Sequence, residues 1–102
     1  MEDKVLDIGC GMGRITKWFT KEQYLGIDFV PEFLQIAREE NPGYKFKTWD
    51  AKEKLEGEWD WGLMVSVQGV MEKSSQKVNQ NCKKFLVLEY TNPEEYQIYG
   101  NV

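Results

Sequence analysis

Short apolar runs alternate with amphipathic segments in the first half of the chain. Residues 4–8 form a β-rich run that breaks at the glycines of residues 9–13. Behind them, Ile15, Trp18 and Phe19 fall at positions i, i+3 and i+4, the spacing that puts three apolar side chains on one helix face. This pattern predicts a strand, a glycine turn and a helix.

A second strand and helix follow the first pair directly. Residues 24–27 are the strand, and Pro31 is well placed in the first turn of a helix. The Asn-Pro-Gly sequence of residues 41–43 ends that helix. Its predicted buried face carries Phe33 and Ala37, with Leu34 beside them.

Three further strands are predicted in the second half of the chain. Residues 44–48 alternate in polarity, as a half-exposed strand at a sheet edge does. Residues 61–67 are nearly all apolar, as a strand buried on both faces should be, and residues 85–88 are another buried strand. The segments between and after these strands predict a loop at residues 52–58, a weak helix at residues 71–83 and a short final helix at residues 93–99.

The order of these elements predicts an α/β fold. Strands that alternate with helices form βαβ units, and right-handed crossovers then give a mostly parallel sheet with helices on both faces. A chain of 102 residues corresponds to one domain, spanning residues 1–102. No apolar run approaches the ~20 residues that a membrane-spanning helix needs, so no membrane segment is predicted.

Composition and charge exclude several kinds of chemistry. The chain has no His, which excludes His-based triads and a His general base, and Cys10 and Cys82 alone do not make up a zinc site. No metal is therefore predicted. The net charge of −4 and the lack of any basic run disfavour nucleic acid as a direct partner. Two cysteines without a signal peptide predict reduced thiols in a cytoplasmic protein.

The spacing of the first glycines separates two kinds of ligand-binding turn. In the dinucleotide fingerprint the third glycine would fall where this chain has Arg14, which disfavours a nicotinamide-dinucleotide site. Instead the glycines lie at positions 9, 11 and 13, and Asp7 precedes them inside the strand. Residues 5–13 in this arrangement resemble the first motif of the class I S-adenosylmethionine-dependent methyltransferases.

Later segments resemble the next motifs of that family, in the same order. Residues 24–29 resemble the acidic second-strand motif, and residues 33–38 resemble the helix that follows it. Asp50 and Ala51 look like the third-strand motif, and residues 58–67 look like the fourth-strand motif. The resemblance extends from residue 4 to about residue 90.

The resemblance implies a three-layer Rossmann-like fold with strand order 3-2-1-4-5 and S-adenosyl-L-methionine as the cofactor. The family usually adds a helix before the first strand and an antiparallel strand pair after the fifth, and this chain is expected to lack both. The residues that the resemblance assigns to the cofactor are Asp7, Gly9, Cys10, Gly11, Gly13, Asp28, Phe29, Asp50, Ala51, Ser66 and Val67.

Under this resemblance the acidic residues at the strand ends have different tasks. The methionyl carboxylate would lie at the N-terminus of the helix after the glycines, and Asp7 would face the cofactor's ammonium. Asp28 would accept the ribose hydroxyl protons, and Phe29 would offer an apolar face to adenine. Asp50 and the backbone of Ala51 would bind the adenine edge.

Other roles stay open for some of these side chains. Asp28 could cap the following helix, and Asp50 could be a simple loop acid. Cys10 is expected to be a small turn residue rather than a nucleophile. Arg14 either pairs with a carboxylate or is solvated.

No residue is assigned a catalytic role, because a sulfonium donor is already activated and alignment of the reactants supplies much of the rate. Residues 66–69 lack the Pro-Pro-aromatic pattern of amino-methylating DNA enzymes, which leaves the acceptor open. The leading hypothesis is a minimal methyltransferase that acts on a small molecule or on a partner-presented substrate. The alternative is a non-catalytic S-adenosylmethionine-binding subunit that needs a partner chain to complete the acceptor site. A thinly covered sheet would make either one a homo-oligomer or a partner subunit.

Overall fold

The computed structural model describes residues 2–50, 54–66, 81–92 and 95–99. One α-helix, α1 (Pro31–Glu40), and a short 3-10 helix (Thr16–Trp18) lie in these residues. They accompany a single six-stranded sheet. Its strands are β1 (Val5–Ile8), β2 (Tyr24–Asp28), β3 (Lys45–Thr48), β4 (Trp59–Ser66), β5 (Cys82–Asn92) and β6 (Glu95–Tyr99).

The strands lie side by side in the order β3-β2-β1-β4-β5-β6, and all neighbours from β3 to β5 are parallel. Every residue of β1 is buried, which fits its place inside the sheet. β3 buries only Phe46 and forms one edge, as its alternating pattern predicts. The predicted order 3-2-1-4-5, and with it the Rossmann-like α/β fold, is confirmed.

The end of the chain differs from the sequence prediction. Where a helix was expected at residues 93–99, the described residues Glu95–Tyr99 form β6, which pairs antiparallel with β5. The described residues therefore add one antiparallel strand, β6, to the predicted order 3-2-1-4-5. β5 is also longer than predicted, and a long edge strand offers unpaired backbone N–H and C=O groups to any neighbouring segment.

The segment after the glycines also differs, because it forms one 3-10 turn in place of the predicted helix. Ile15 is buried and Phe19 is half-buried, but Trp18 is 64% exposed, so the three side chains do not share a buried face. Phe19 is already in extended conformation (φ −133°, ψ 156°). Three glycines with positive φ precede this segment, and such residues do not continue into a regular helix.

α1 has the predicted bounds and covers one face of the sheet. Its buried side chains are Leu34 and Ala37, and they pack in a cluster with Tyr24 and Phe46. Phe33, which was expected on the buried face, is 43% exposed. The helix therefore buries a narrower stripe than the sequence pattern predicts.

A second apolar cluster contains Leu6 and Ile8 of β1. Because side chains alternate along a strand, these two lie on the face of the sheet opposite to Val5 and Asp7. Trp49 and Leu55, from the segment between β3 and β4, belong to this cluster. The predicted helix at residues 71–83 lies outside the described residues apart from residues 81–83, where β5 begins. Within the described part of the chain, no helix is long and apolar enough to cross a bilayer.

Candidate functional site

The glycine turn after β1 has a backbone that side chains disfavour. Gly9, Gly11 and Gly13 have φ values of 71°, 57° and 81°, in the left-handed region where a Cβ is strained. The amides of Gly9 and Cys10 both donate to the carbonyl oxygen of Ile27, at 2.8 and 3.0 Å. The glycines thus let the chain reverse sharply while it stays hydrogen-bonded to the end of β2.

Asp28, the last residue of β2, holds the middle of this turn. The Gly11 amide donates to Asp28 Oδ2 at 2.8 Å, and the Val30 amide donates to Oδ1 at 3.0 Å. The side chain is only 7% exposed. Val30 is the N-cap of α1 and no side chain caps the helix, so the helix-capping alternative for Asp28 is wrong. Each carboxylate oxygen keeps a lone pair for a further donor.

Asp7 lies below the turn in β1 and is 2% exposed. Its Oδ2 accepts a hydrogen bond from the Tyr24 hydroxyl at 2.5 Å. The pKa of Asp7 is raised to about 7, chiefly by burial; the hydrogen bond from Tyr24 opposes this rise, and the nearby Asp28 charge adds to it. Asp7 therefore changes its charge close to neutral pH.

Cys10 occupies the turn as a buried thiol. Burial raises the pKa of this thiol, and the charges of Asp7 and Asp28 raise it further. A thiol that stays protonated at neutral pH is a poor nucleophile. This favours the interpretation of Cys10 as a small turn residue.

A polar network below the turn was missed by sequence reasoning. The Thr16 hydroxyl donates to Asn41 Oδ1 at 2.6 Å and lies 3.0 Å from the Gly13 carbonyl oxygen. Asn41, the C-cap of α1, also donates from Nδ2 to the carbonyl oxygens of Ala37 (2.9 Å) and Met12 (3.3 Å). The only sequence signal was Asn41 in the Asn-Pro-Gly helix stop, which indicates a terminus and not a contact with the turn.

These elements surround an open pocket of about 360 Å³ at the carboxyl ends of β1, β2 and β4. Ligands bind at this edge in open α/β sheets. The structure brings together five of the predicted residues here and adds seven that sequence reasoning did not assign. The lining consists of Asp7, Gly9, Cys10, Gly11 and Asp28 from the predicted set, with Ile8, Met12, Arg14, Ile15, Phe33, Met64 and Val65.

Other predicted site residues lie outside this lining. Gly13, the last glycine of the turn, is buried, and a Cβ at this position would lie 2.8 Å from Asn41 Nδ2. Phe29 is 62% exposed beyond the end of β2, and Asp50 is exposed after β3. Ser66 ends β4. Ala51 and Val67 lie outside the described residues.

The expected carboxylate site at a helix N-terminus is not formed. In the described structure only a 3-10 turn lies between the glycines and β2, and the Gly9, Cys10 and Gly11 amides already donate within the protein. The exposed Arg14 lines the pocket instead and supplies a positive charge for an anionic group.

A methyltransferase domain family model matches residues 5–87, and the chain belongs to this family. No curated protein matches the sequence. Among solved structures, the fold is similar to a protein from Thermoplasma acidophilum, with a TM-score of 0.71 and 19% identity; the match covers 85% of this chain and 51% of that one. It is also similar to an S-adenosylmethionine-dependent methyltransferase from Mesorhizobium loti, with a TM-score of 0.66 and 22% identity; this match covers 85% of this chain and 46% of that one.

A third similar structure is CalS10 of Micromonospora echinaspora, an amino pentose methyltransferase with bound S-adenosylmethionine (TM-score 0.70, 19% identity, 93% and 46% coverage). The chain spans about half the length of these three proteins. At such identities the likeness concerns the fold, and the family assignment rests on the match over residues 5–87.

Proposed function

We propose that this chain binds S-adenosyl-L-methionine in the pocket below the glycine turn and serves methyl transfer to a small molecule or to a substrate presented by a partner. Support comes from the family, from the cofactor bound to CalS10 and from the geometry of the pocket. The observation that carries most weight is the hydrogen bond from the Gly11 amide to Asp28. It places a buried carboxylate next to a glycine backbone, which a ligand can approach closely, and both residues line the same pocket.

The pocket suits a nucleoside with an attached amino acid. Its volume of about 360 Å³ lies within the ~300–1,000 Å³ typical of small-molecule sites. A Cβ at Gly11 would meet no protein atom within 4 Å, so the turn leaves open space on that side. Carboxylates, one guanidinium and apolar side chains line the same opening, which matches a ligand with hydroxyls, charges and an aromatic ring.

The bound cofactor would supply a methyl group on a positively charged sulfur. The residues of this chain would then bind and orient. Asp28 can accept ribose hydroxyl protons with its remaining lone pairs, and Arg14 can pair with the carboxylate. Met64 and Val65 of β4 give the pocket an apolar wall that limits water near the reacting centre.

Calorimetric titration tests the binding half of the proposal. Wild type is titrated with S-adenosylmethionine, S-adenosylhomocysteine and a nicotinamide dinucleotide, and only the first two are expected to bind. Asp28→Asn should lower the affinity for both sulfur ligands by about tenfold or more, the loss expected for hydrogen bonds to a charged group. Glu39→Gln, an exposed acid of α1, removes the same charge outside the pocket and should leave affinity unchanged. No heat with either sulfur ligand would refute the proposal.

Methyl transfer requires a second experiment. The chain is incubated with methyl-labelled cofactor and cell extract, at a concentration that saturates the binding measured by calorimetry. Label in an acceptor that depends on Asp28 would establish an enzyme. Saturated binding without transfer would favour the alternative, a non-catalytic binding subunit, and stoichiometric addition of a copurifying partner should then restore transfer. Sedimentation velocity on the same samples tests the predicted homo-oligomer or partner complex.

A further inference from the structure

Tyr24 begins β2 and directs its hydroxyl at Asp7 of β1. In the parallel register Tyr24 lies opposite Val5, and Asp7 lies opposite Gly26, so the tyrosine side chain extends along the sheet toward the pocket end. Both side chains are 2% exposed. Their hydrogen bond of 2.5 Å is therefore closed to competing water.

Neighbouring aromatic rings fix the position of the Tyr24 ring. Its ring centroid lies 6.2 Å from that of Phe19, in a stacked arrangement. The rings of Tyr44 and Phe46 pack edge-on against it, with centroid distances of 5.6 and 5.8 Å. With the ring held on three sides, its hydroxyl has one location. Packing alone would be served equally well by phenylalanine, so the hydroxyl calls for a separate explanation.

Gly26 makes room for this hydroxyl. A Cβ at Gly26 would lie 2.8 Å from the Tyr24 hydroxyl oxygen and 2.9 Å from Cys10 Sγ. Real Cβ atoms do not approach other atoms so closely, so any side chain here would push the hydroxyl away from Asp7. The free side of Asp7 lines the pocket.

The charge of Asp7 depends on a small set of neighbours. β2 contributes Tyr24 and Asp28, and the glycine turn contributes the neutral Cys10 thiol and Arg14. The facing residues of β4 are apolar, and the Arg38 guanidinium of α1 donates to the Phe46 carbonyl. Among the described residues, the Tyr24 hydroxyl is accordingly the hydrogen-bond donor that stabilises the Asp7 carboxylate.

We propose that Tyr24 is a positioning residue for the cofactor, because its hydroxyl orients the Asp7 carboxyl toward the pocket and favours the ionised form, which attracts the cofactor's positive charge. This inference rests on the proposed function. Without the hydroxyl, burial and the Asp28 charge act on Asp7 unopposed, and the pKa of Asp7 rises above its value of about 7. Cofactor binding near neutral pH then weakens.

The first measurement needs no cofactor. The Asp7 carboxyl carbon is followed by NMR against pH in wild type, Tyr24→Phe and Tyr44→Phe. Tyr44→Phe is the matched control, because its hydroxyl lies in the same aromatic cluster but donates to the Phe19 carbonyl at 2.6 Å. The titration midpoint should lie near 7 in wild type and in the control, and higher in Tyr24→Phe.

The second measurement is the affinity for S-adenosylmethionine between pH 6 and pH 9 in the same three proteins. The ligand's α-amino group titrates near pH 8, so the ratio of variant to wild-type affinity is used at each pH, in which that titration cancels. If the lost hydrogen bond raises the Asp7 pKa by about one unit, Tyr24→Phe binds about fivefold more weakly at pH 7 and nearly as well as wild type at pH 9.

Three outcomes would overturn the inference. An unchanged Asp7 midpoint in Tyr24→Phe would show that the hydroxyl does not favour the carboxylate. A binding defect equal at every pH would assign Tyr24 a purely structural role. If Asp7 titrates as expected but wild type binds no S-adenosylmethionine at any pH, the proposed function itself fails and this role fails with it, and the NMR result distinguishes that case.

Discussion

The amide of Gly11 donates to the Asp28 carboxylate at 2.8 Å, across 17 positions of sequence. This bond joins the glycine turn after β1 to the end of β2. The second oxygen of Asp28 accepts from Val30, so one side chain orders the backbone on both sides of the pocket edge. Asp28 therefore combines this structural role with the binding role proposed for it.

Asp28→Asn should destabilise the protein before any ligand is added. An asparagine offers only one acceptor oxygen, so one of the two backbone amides would face an NH2 group. We expect a loss of about 1–3 kcal/mol in the free energy of unfolding, measured by urea denaturation. Glu39→Gln is the control and should change stability by less than about 0.5 kcal/mol. A loss for Asp28→Asn no larger than the control would contradict this account.

Alanine at Gly11 and at Gly13 should have different effects, although both glycines have positive φ. Each substitution costs about 1–2 kcal/mol of backbone strain. At Gly13 the new Cβ would also lie 2.8 Å from Asn41 Nδ2 and 3.1 Å from Phe46, whereas at Gly11 it meets no protein atom within 4 Å. Overpacking should add about 1–3 kcal/mol at Gly13 only. Thermal and urea unfolding of the two variants provide the comparison, and equal losses would exclude the steric explanation.

Gly11→Ala should instead impair binding. The Cβ enters the open space of the pocket, so the loss of S-adenosylmethionine affinity should exceed what its folding defect explains. Titration is done at a temperature where the variant is fully folded. Retained affinity would mean that the ligand does not approach Gly11.

The stability of the protein should depend on pH through Asp7. Its pKa rises from 3.8 to about 7 on folding, so between these values the native state binds the extra proton. Stability from this group is therefore complete below pH 3.8 and is lost as pH rises through about 7. The shift corresponds to a loss on the order of 4 kcal/mol. Roughly 3 kcal/mol of this loss falls between pH 5 and pH 8, where urea unfolding measures it.

Asp7→Asn is the variant that isolates this effect. Its amide oxygen can still accept from Tyr24, but the side chain no longer ionises. The variant should be more stable than wild type at pH 8, and the difference should shrink toward pH 5, where Asp7 of the native state holds its proton. A variant that loses stability from pH 5 to pH 8 as steeply as wild type would assign the pH dependence to other groups.

Thr16→Val tests the network below the turn. Valine fills the space of threonine but removes the hydroxyl that bonds Asn41. Because this oxygen is buried, we expect a loss of about 1–3 kcal/mol and faster hydrogen exchange at the Gly13 amide. Thr48→Val, at the exposed end of β3, is the matched control and should be nearly neutral. Unchanged exchange at Gly13 would show that the turn does not depend on this network.

The sequence was sufficient for features that depend on local pattern. β1 and β4 are apolar runs, and the ends of α1 follow from Pro31 and the Asn-Pro-Gly stop. The glycine turn was also recognisable, because left-handed backbone requires glycine at fixed positions. Asp7 and Asp28 could be placed at one edge of the sheet, since parallel strands end on the same side.

Features that depend on distant neighbours were not predictable in this way. The helix expected after the glycines would have needed a buried stripe, but Trp18 is 64% exposed and only one 3-10 turn forms. β6 forms because β5 offers a free edge, and a residue pattern carries no information about that edge.

The sequence by itself determined the parallel sheet, the glycine turn and the acidic residues at the strand ends, because these follow from periodicity and from backbone stereochemistry. Only the tertiary structure decided which atoms those acids meet. The Tyr24 hydroxyl reaches Asp7, and the Gly11 amide reaches Asp28, because strand register sets their distances. Burial then changes the proton affinity of Asp7, and desolvation is a property of the folded surroundings rather than of any residue.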